Sequence, residues 1–155
     1  MFDGRTSKGW QVESDRALRG TLDVVPGAPD TELSLSYALA GTPVLSQYVA
    51  LVAGPLTASA LPNQVTFNAH ANGPMRISVG VRSRLGEQWS RSAYLDGTPR
   101  EQTIRFDEMA PIGTARSARP VADEITDVLF VIETTHNRPG ARGWLRITSA
   151  RLQGR

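Results

Sequence analysis

Apolar residues recur at every second position along most of this chain, the spacing of strands that bury one face. Leu33, Leu35, Tyr37 and Leu39 share one parity, with Ser34 and Ser36 between them. Val65, Phe67 and Ala69 repeat the pattern around Thr66 and Asn68. In 75–82, Ile77, Val79 and Val81 face one way while Arg76, Ser78 and Arg82 face the other. Shorter strands are expected at 21–25, 48–53, 89–95, 102–106, 127–133 and 144–152. The run Val128-Leu129-Phe130-Val131-Ile132 is apolar on both faces, which predicts a central strand covered above and below. Gly- and Pro-containing turn signals separate these runs, among them Asn72-Gly73-Pro74, Leu85-Gly86-Glu87, Asp96-Gly97-Thr98-Pro99 and Asn137-Arg138-Pro139-Gly140. No 12-residue window carries an amphipathic helix, and 106–123 reads as a long crossover with a helical turn. Strands of this length and spacing predict one all-β domain over residues 1–155, a sandwich or a barrel.

Composition narrows the chemistry. Cysteine is absent, which removes disulfides, thiolate nucleophiles and cysteine-ligated metal sites. With only His70 and His136, a histidine-rich metal centre is excluded as well. Seventeen basic against 15 acidic residues leave a net charge of +2, and the two signs are interleaved. A nucleic-acid partner is therefore not expected, since such binders concentrate their positive charge in a stripe. The densest basic run, Arg116-Ser117-Ala118-Arg119, is short and lies in loop sequence. All but one of the basic residues are arginine, Lys8 being the exception, and this bias points to a GC-rich bacterial genome. No stretch reaches the ~18–20 apolar residues of a membrane span, so no membrane insertion is expected. No basic-then-apolar leader stands at residue 1, so the expectation is an export signal either removed or never present.

Enzymatic signatures are weak. No Gly-x-Ser-x-Gly elbow occurs, neither histidine neighbours a candidate nucleophile, and no glycine-rich loop opens a helix. Glu87, Asp96, Glu101, Asp107, Glu108 and Glu133 leave a glycosidase-type carboxylate pair formally open, yet most stand in turn sequence. No catalytic residue is assigned. The polar strand positions form a more coherent set. Arg76, Ser78, Gly80 and Arg82 project from one strand, and either Trp89 with Arg91 or Tyr94 from the next. His70 and Asn68 extend the set on the preceding strand. Arginines, amides and one or two rings on a sheet face suit a sugar, whose hydroxyls accept planar donors and whose C–H face stacks on a ring. An ordinary solvated sheet face has the same composition.

The chain also resembles a family. Phe2-Asp3-Gly4 with Gly9-Trp10, Leu61 to Phe67 leading into Arg76–Arg82, and Gly86-Glu87-Gln88-Trp89 begin the pattern. Ile104-Arg105-Phe106, Leu129–Ile132 and Gly143-Trp144-Leu145-Arg146-Ile147 running into Ala150-Arg151-Leu152 complete it. Together these are similar to the galactose-binding-like jelly rolls, which include carbohydrate-binding modules and the complex I intermediate-associated type of domain. The resemblance implies a two-sheet antiparallel jelly-roll β-sandwich with a glycan site on a sheet face or at the loop ends. It also raises a structural calcium, held in that family partly by an acid in the last strand. Here that stretch is Ile147-Thr148-Ser149-Ala150-Arg151-Leu152, without an acid, so neither calcium nor any other cofactor is expected; Asp3 and backbone carbonyls are the residual candidates.

The resulting expectation is a non-catalytic carbohydrate-binding module, one domain of a larger bacterial protein, extracytoplasmic or secreted. Its glycan would lie on the face carrying Arg76, Arg82, Trp89 and Arg91, with His70 at the edge and Tyr94 as the substitute for Trp89. Trp89 is placed outward because tryptophan stacks best, and Gly80 is read as room for a sugar ring to approach the backbone. The alternative is a structural or protein-interaction β-sandwich without a sugar site. Other domains of the parent protein are the remaining expected partners.

Overall fold

Period-two alternation becomes antiparallel sheet almost everywhere it was expected. The computed structural model describes residues 1–15, 18–27, 31–41, 47–56 and 61–154. Its strands are β1 (Trp10–Ser14), β2 (Arg19–Pro26), β3 (Thr31–Ala38), β4 (Tyr48–Ala53), β5 (Pro62–Ala71) and β6 (Met75–Ser83). They continue as β7 (Gln88–Leu95), β8 (Arg100–Arg105), β9 (Ala110–Ile112), β10 (Ile125–Glu133) and β11 (Arg142–Gly154). One sheet has the order β1-β4-β10-β6-β7-β9 and the other β2-β3-β11-β5-β8, so the chain crosses repeatedly between two layers. The expected crossover at 106–123 opens with a 3-10 turn, Phe106–Glu108, holds the short edge strand β9, and runs into a second 3-10 turn, Ala122–Glu124. The sequence reading had assigned no strand to β1 or β9.

The inward parities of both sheets meet in one core. Val49, Leu51, Val79, Val81, Val128, Phe130 and Ile132 face Leu33, Leu35, Val65, Phe67, Leu145 and Ile147. Phe130 is the hinge of this packing, edge-on to Phe67 at 5.2 Å and stacked near Trp10 at 6.0 Å. Trp10 thus joins the core from β1 rather than capping one end of the sandwich.

β10 is central, as its sequence implied, paired with β4 on one side and β6 on the other. Its second apolar face does not enter the sandwich core. Leu129 and Val131 instead form a small cluster with Ala50 and Val52 on the outer side of the six-stranded sheet. No helix among the described residues is long and apolar enough to cross a membrane.

Candidate sheet-face site

The outer face of the six-stranded sheet carries ordered transverse rows, because directly opposed residues in an antiparallel pair share a face. One row runs Gln11, Val52, Leu129, Gly80, Ser90, Ala110 across all six strands. The next runs Glu13, Ala50, Val131, Ser78, Ser92. Small and apolar side chains therefore make the middle of this face, and Ala50 and Val52 are fully buried although they point away from the core. Beyond these rows, Tyr48 pairs with Glu133 and Arg76 with Tyr94. Tyr48 is 36% and Tyr94 46% exposed, one ring on either side of the Glu133 and Arg76 strands. With three strand spacings between them, their backbones stand about 14 Å apart.

At the other end of the face, Arg82 is held on three sides. Its two terminal nitrogens donate to Glu13 at 2.8 and 2.9 Å, and Nε donates to Asp127 Oδ2 at 3.0 Å. The bidentate guanidinium holds Glu13 below the ordinary carboxylate range, and the same bonds raise the Arg82 pKa further. Near the Tyr row, Ser78 Oγ donates to Glu133 Oε1 at 2.5 Å, and His136 Nε2 lies 4.0 Å from the same oxygen.

The residues expected to form the site separate into three groups. Arg76, Arg82 and Tyr94 do share this face. Trp89 and Arg91 do not, because they take the parity of Ala93 and Leu95, opposite Val81 and Val79. Trp89 is 1% exposed in the core, its Nε1 donating to Ser117 O at 2.9 Å. Arg91 reaches Glu108 at 2.7 Å instead. His70 belongs to the other sheet altogether. On the outer side of β5 it bonds Glu32 at 3.1 Å, its ring edge-on to Trp144 of β11, whose parity is opposite to that of the core residues Leu145 and Ile147.

The register of the β6–β7 hairpin explains the Trp89 correction. Three residues, Arg84-Leu85-Gly86, form its loop, with Ser83 and Glu87 joined by a backbone hydrogen bond and Gly86 at φ +83°. That is the three-residue hairpin with glycine at the left-handed position. A two-residue loop would have paired Arg82 with Trp89 and turned the indole outward. Gly80 likewise serves the sheet and not a ligand: a Cβ there would stand 2.6 Å from Trp89 O.

Sequence reasoning did not place Tyr48, Glu13 or Glu133 on this face, although Glu133 stood among the carboxylates left open for catalysis. A signal existed for Tyr48 and Glu133, whose parities oppose Val49 and Ile132 in strands already delineated. Glu13 lies in β1, where no strand was expected.

The six acids left open for catalysis are engaged elsewhere. Glu87 pairs with Arg116, Asp96 with Arg100, Glu101 with Arg151, Asp107 with Arg105 and Glu108 with Arg91, while Glu133 accepts from Ser78. Around the calcium candidates named above, Asp3 Oδ1 accepts from Arg5 N, Gly4 O from Thr31 Oγ1 and Phe2 O from Ala150 N. Among the described residues no three His, Asp or Glu side chains gather to hold a metal ion.

No protein-family model and no curated protein matches the sequence. Solved structures of similar shape include carbohydrate-binding modules. A family 11 module from Clostridium thermocellum, in complex with a β-1,3-1,4-mixed-linked tetrasaccharide, is 17% identical with a TM-score of 0.76, covering 99% of this chain and 94% of that one. The module TmCBM61, in complex with β-1,4-galactotriose, is 18% identical at a TM-score of 0.55, over 97% of this chain and 90% of that one. A family 28 module specific for non-crystalline cellulose is 12% identical at a TM-score of 0.62, covering 99% of this chain and 91% of that one. The fold is thus the jelly-roll β-sandwich that these modules share.

Proposed function

We propose that this chain is a non-catalytic carbohydrate-binding domain of a bacterial protein, and that it binds a glycan across the outer face of the six-stranded sheet. The observation that carries this reading is the row Tyr48, Glu133, Arg76, Tyr94: two exposed rings flank a carboxylate and a guanidinium on one rigid sheet. A tyrosine ring offers its face to the C–H side of a sugar, while carboxylate and guanidinium bond the hydroxyls at its rim. The separation of the two rings suits a linear chain of several sugar units and not a single monosaccharide. Two solved modules of this fold hold a tetrasaccharide and a galactotriose, which supports a glycan ligand here.

The carboxylates at the Arg82 end of this face are consistent with a non-catalytic role. A glycosidase needs one carboxyl kept protonated, with a raised pKa, beside one that is ionised. Glu13 is instead shifted downward by Arg82, and Asp127 shares that guanidinium. The test is an array of neutral and acidic glycans probed with wild type and Tyr94→Ala. Binding by wild type that weakens by about 1–2 kcal/mol in the variant, the scale of one lost aromatic contact, supports the proposal. Silence across the array at millimolar ligand would leave the protein-interaction alternative.

A further inference from the structure

The end of the sandwich beside Arg76 holds a cleft of about 440 Å³, lined in part by Tyr37, Asn72, His136, Arg138 and Arg142. It lies between the β5–β6 turn and the β10–β11 loop. Its charge is one-sided. Many arginines elsewhere hold carboxylates, Arg82 and Arg116 two each. Arg138 and Arg142 hold none among the described residues, and no acid is among the described residues lining the cleft. Glu133, tied to Ser78 on the sheet side, lies 4.0 Å from the cleft-lining His136. Two guanidiniums in one concavity, with no carboxylate bonded to either among the described residues, favour an anion there.

The neutral donors are fixed as well. Asn72 Oδ1 accepts Trp144 N–H at 2.9 Å, and Gly143 makes room for it, since a Cβ there would stand 2.1 Å from that oxygen. This anchoring commits the Asn72 carbonyl to the protein and leaves its amide nitrogen free to donate. Tyr37, buried at the base of the cleft, adds a hydroxyl whose bond is a long one, 3.9 Å, to Met75 sulfur.

We infer that this cleft is a subsite for an anionic substituent, a carboxylate or sulfate ester, on the glycan that crosses the adjoining sheet face. The inference rests on the glycan reading above and deepens it. Continuity between the two surfaces comes from Asn137, which lines the cleft and donates through Nδ2 to Arg76 O at 3.0 Å. Arg76 is the partner of Tyr94 in the exposed row. An acidic sugar at that end would meet two guanidinium forks, whose planar paired donors match two oxygens of a carboxylate or sulfate group. A neutral sugar would gain little from them.

The test uses oligosaccharides that share a backbone and differ only at C6: cellotetraose, its 6-sulfated form and the β-1,4-linked glucuronate tetramer, with the matching galactose series. Calorimetric titration of the intact chain should show one acidic form, carboxylated or sulfated, binding at least about tenfold tighter than the neutral parent. Arg138→Gln/Arg142→Gln should reduce that advantage to about twofold or less and leave neutral binding unchanged. Which acidic form gains identifies the substituent. Arg138→Gln alone serves the same purpose if the double variant loses its β spectrum. Equal binding of acidic and neutral forms overturns the inference, as does an acidic preference that survives the arginine substitutions. Displacement of the acidic sugar by inorganic sulfate at equal concentration also overturns it, as an adventitious anion site. Loss of every glycan, neutral and acidic alike, refutes the sheet-face reading itself; neutral binding that persists and depends on Tyr94 keeps that reading while the subsite fails.

Discussion

Trp89→Ala separates a core indole from a ligand-stacking one. The side chain is 1% exposed against Val81, and its Nε1–H bonds Ser117 O across 28 residues of chain. Truncation removes the ring from the core, which costs about 3–5 kcal/mol, and strands the Ser117 carbonyl if water does not replace the indole. For a chain of this size each kcal/mol lowers the thermal midpoint by roughly 2–4 °C, so a loss near 4 kcal/mol predicts a drop of about 8–16 °C. Trp89→Phe keeps an aromatic ring but loses the N–H, and should cost about 1–2 kcal/mol. Urea titration followed by far-ultraviolet circular dichroism measures both. Tyr94→Ala, at an exposed position, should stay within about 0.5 kcal/mol of wild type. A Trp89→Ala protein that is as stable as wild type but impaired in glycan binding would refute the argument. It would mean that the hairpin register is displaced by one residue.

Two further outcomes follow from the electrostatics and the calcium argument. Glu13 has its pKa lowered by the Arg82 hydrogen bonds, so its contribution is complete above the unfolded carboxylate value and is lost as pH falls through the lower folded value. Wild type should therefore lose more stability than Glu13→Gln as pH falls below about 4, measured by urea midpoints from pH 7 to pH 3; parallel curves would show that Arg82 does not govern this carboxyl. Because the last strand carries no acid beside Asp3, excess chelator followed by added calcium should leave the thermal midpoint unchanged, and a large rise with calcium would reveal a cation site there.

The fold was legible because period-two alternation is a local property. Each strand's inward residues can be named without knowing its neighbours, as Ile77, Val79 and Val81 illustrate, and the turn residues mark where each strand stops. The missed strands were those that lack this signal. β9 has three residues, all exposed, one of them proline, and β1 alternates only through Trp10 and Val12 before Ser14 ends the pattern.

The candidate site was legible only in part, for a related reason. Arg76 and Arg82 followed from the parity of their own strand, and so did the Tyr94 alternative within its strand. Choosing between Tyr94 and Trp89 required the register of two strands, which turned on whether the loop held two residues or three. The Gly86 position favours the three-residue form, whereas placing Trp89 outward rested on the stacking strength of tryptophan alone.

What the sequence alone determined is therefore the class of fold, the inward face of each long strand and the absence of cysteine chemistry. Which strands are neighbours was decided by tertiary structure. Sheet order brings β4 and β10 beside the β6–β7 hairpin although they are far from it and from each other in sequence, and it alone places Tyr48 and Glu133 in line with Arg76 and Tyr94. It also moved His70 to the opposite sheet, where Glu32 holds it. The physical reason is that alternation fixes the side of the sheet on which a residue lies, whereas pairing between distant strands is set by how the whole core packs.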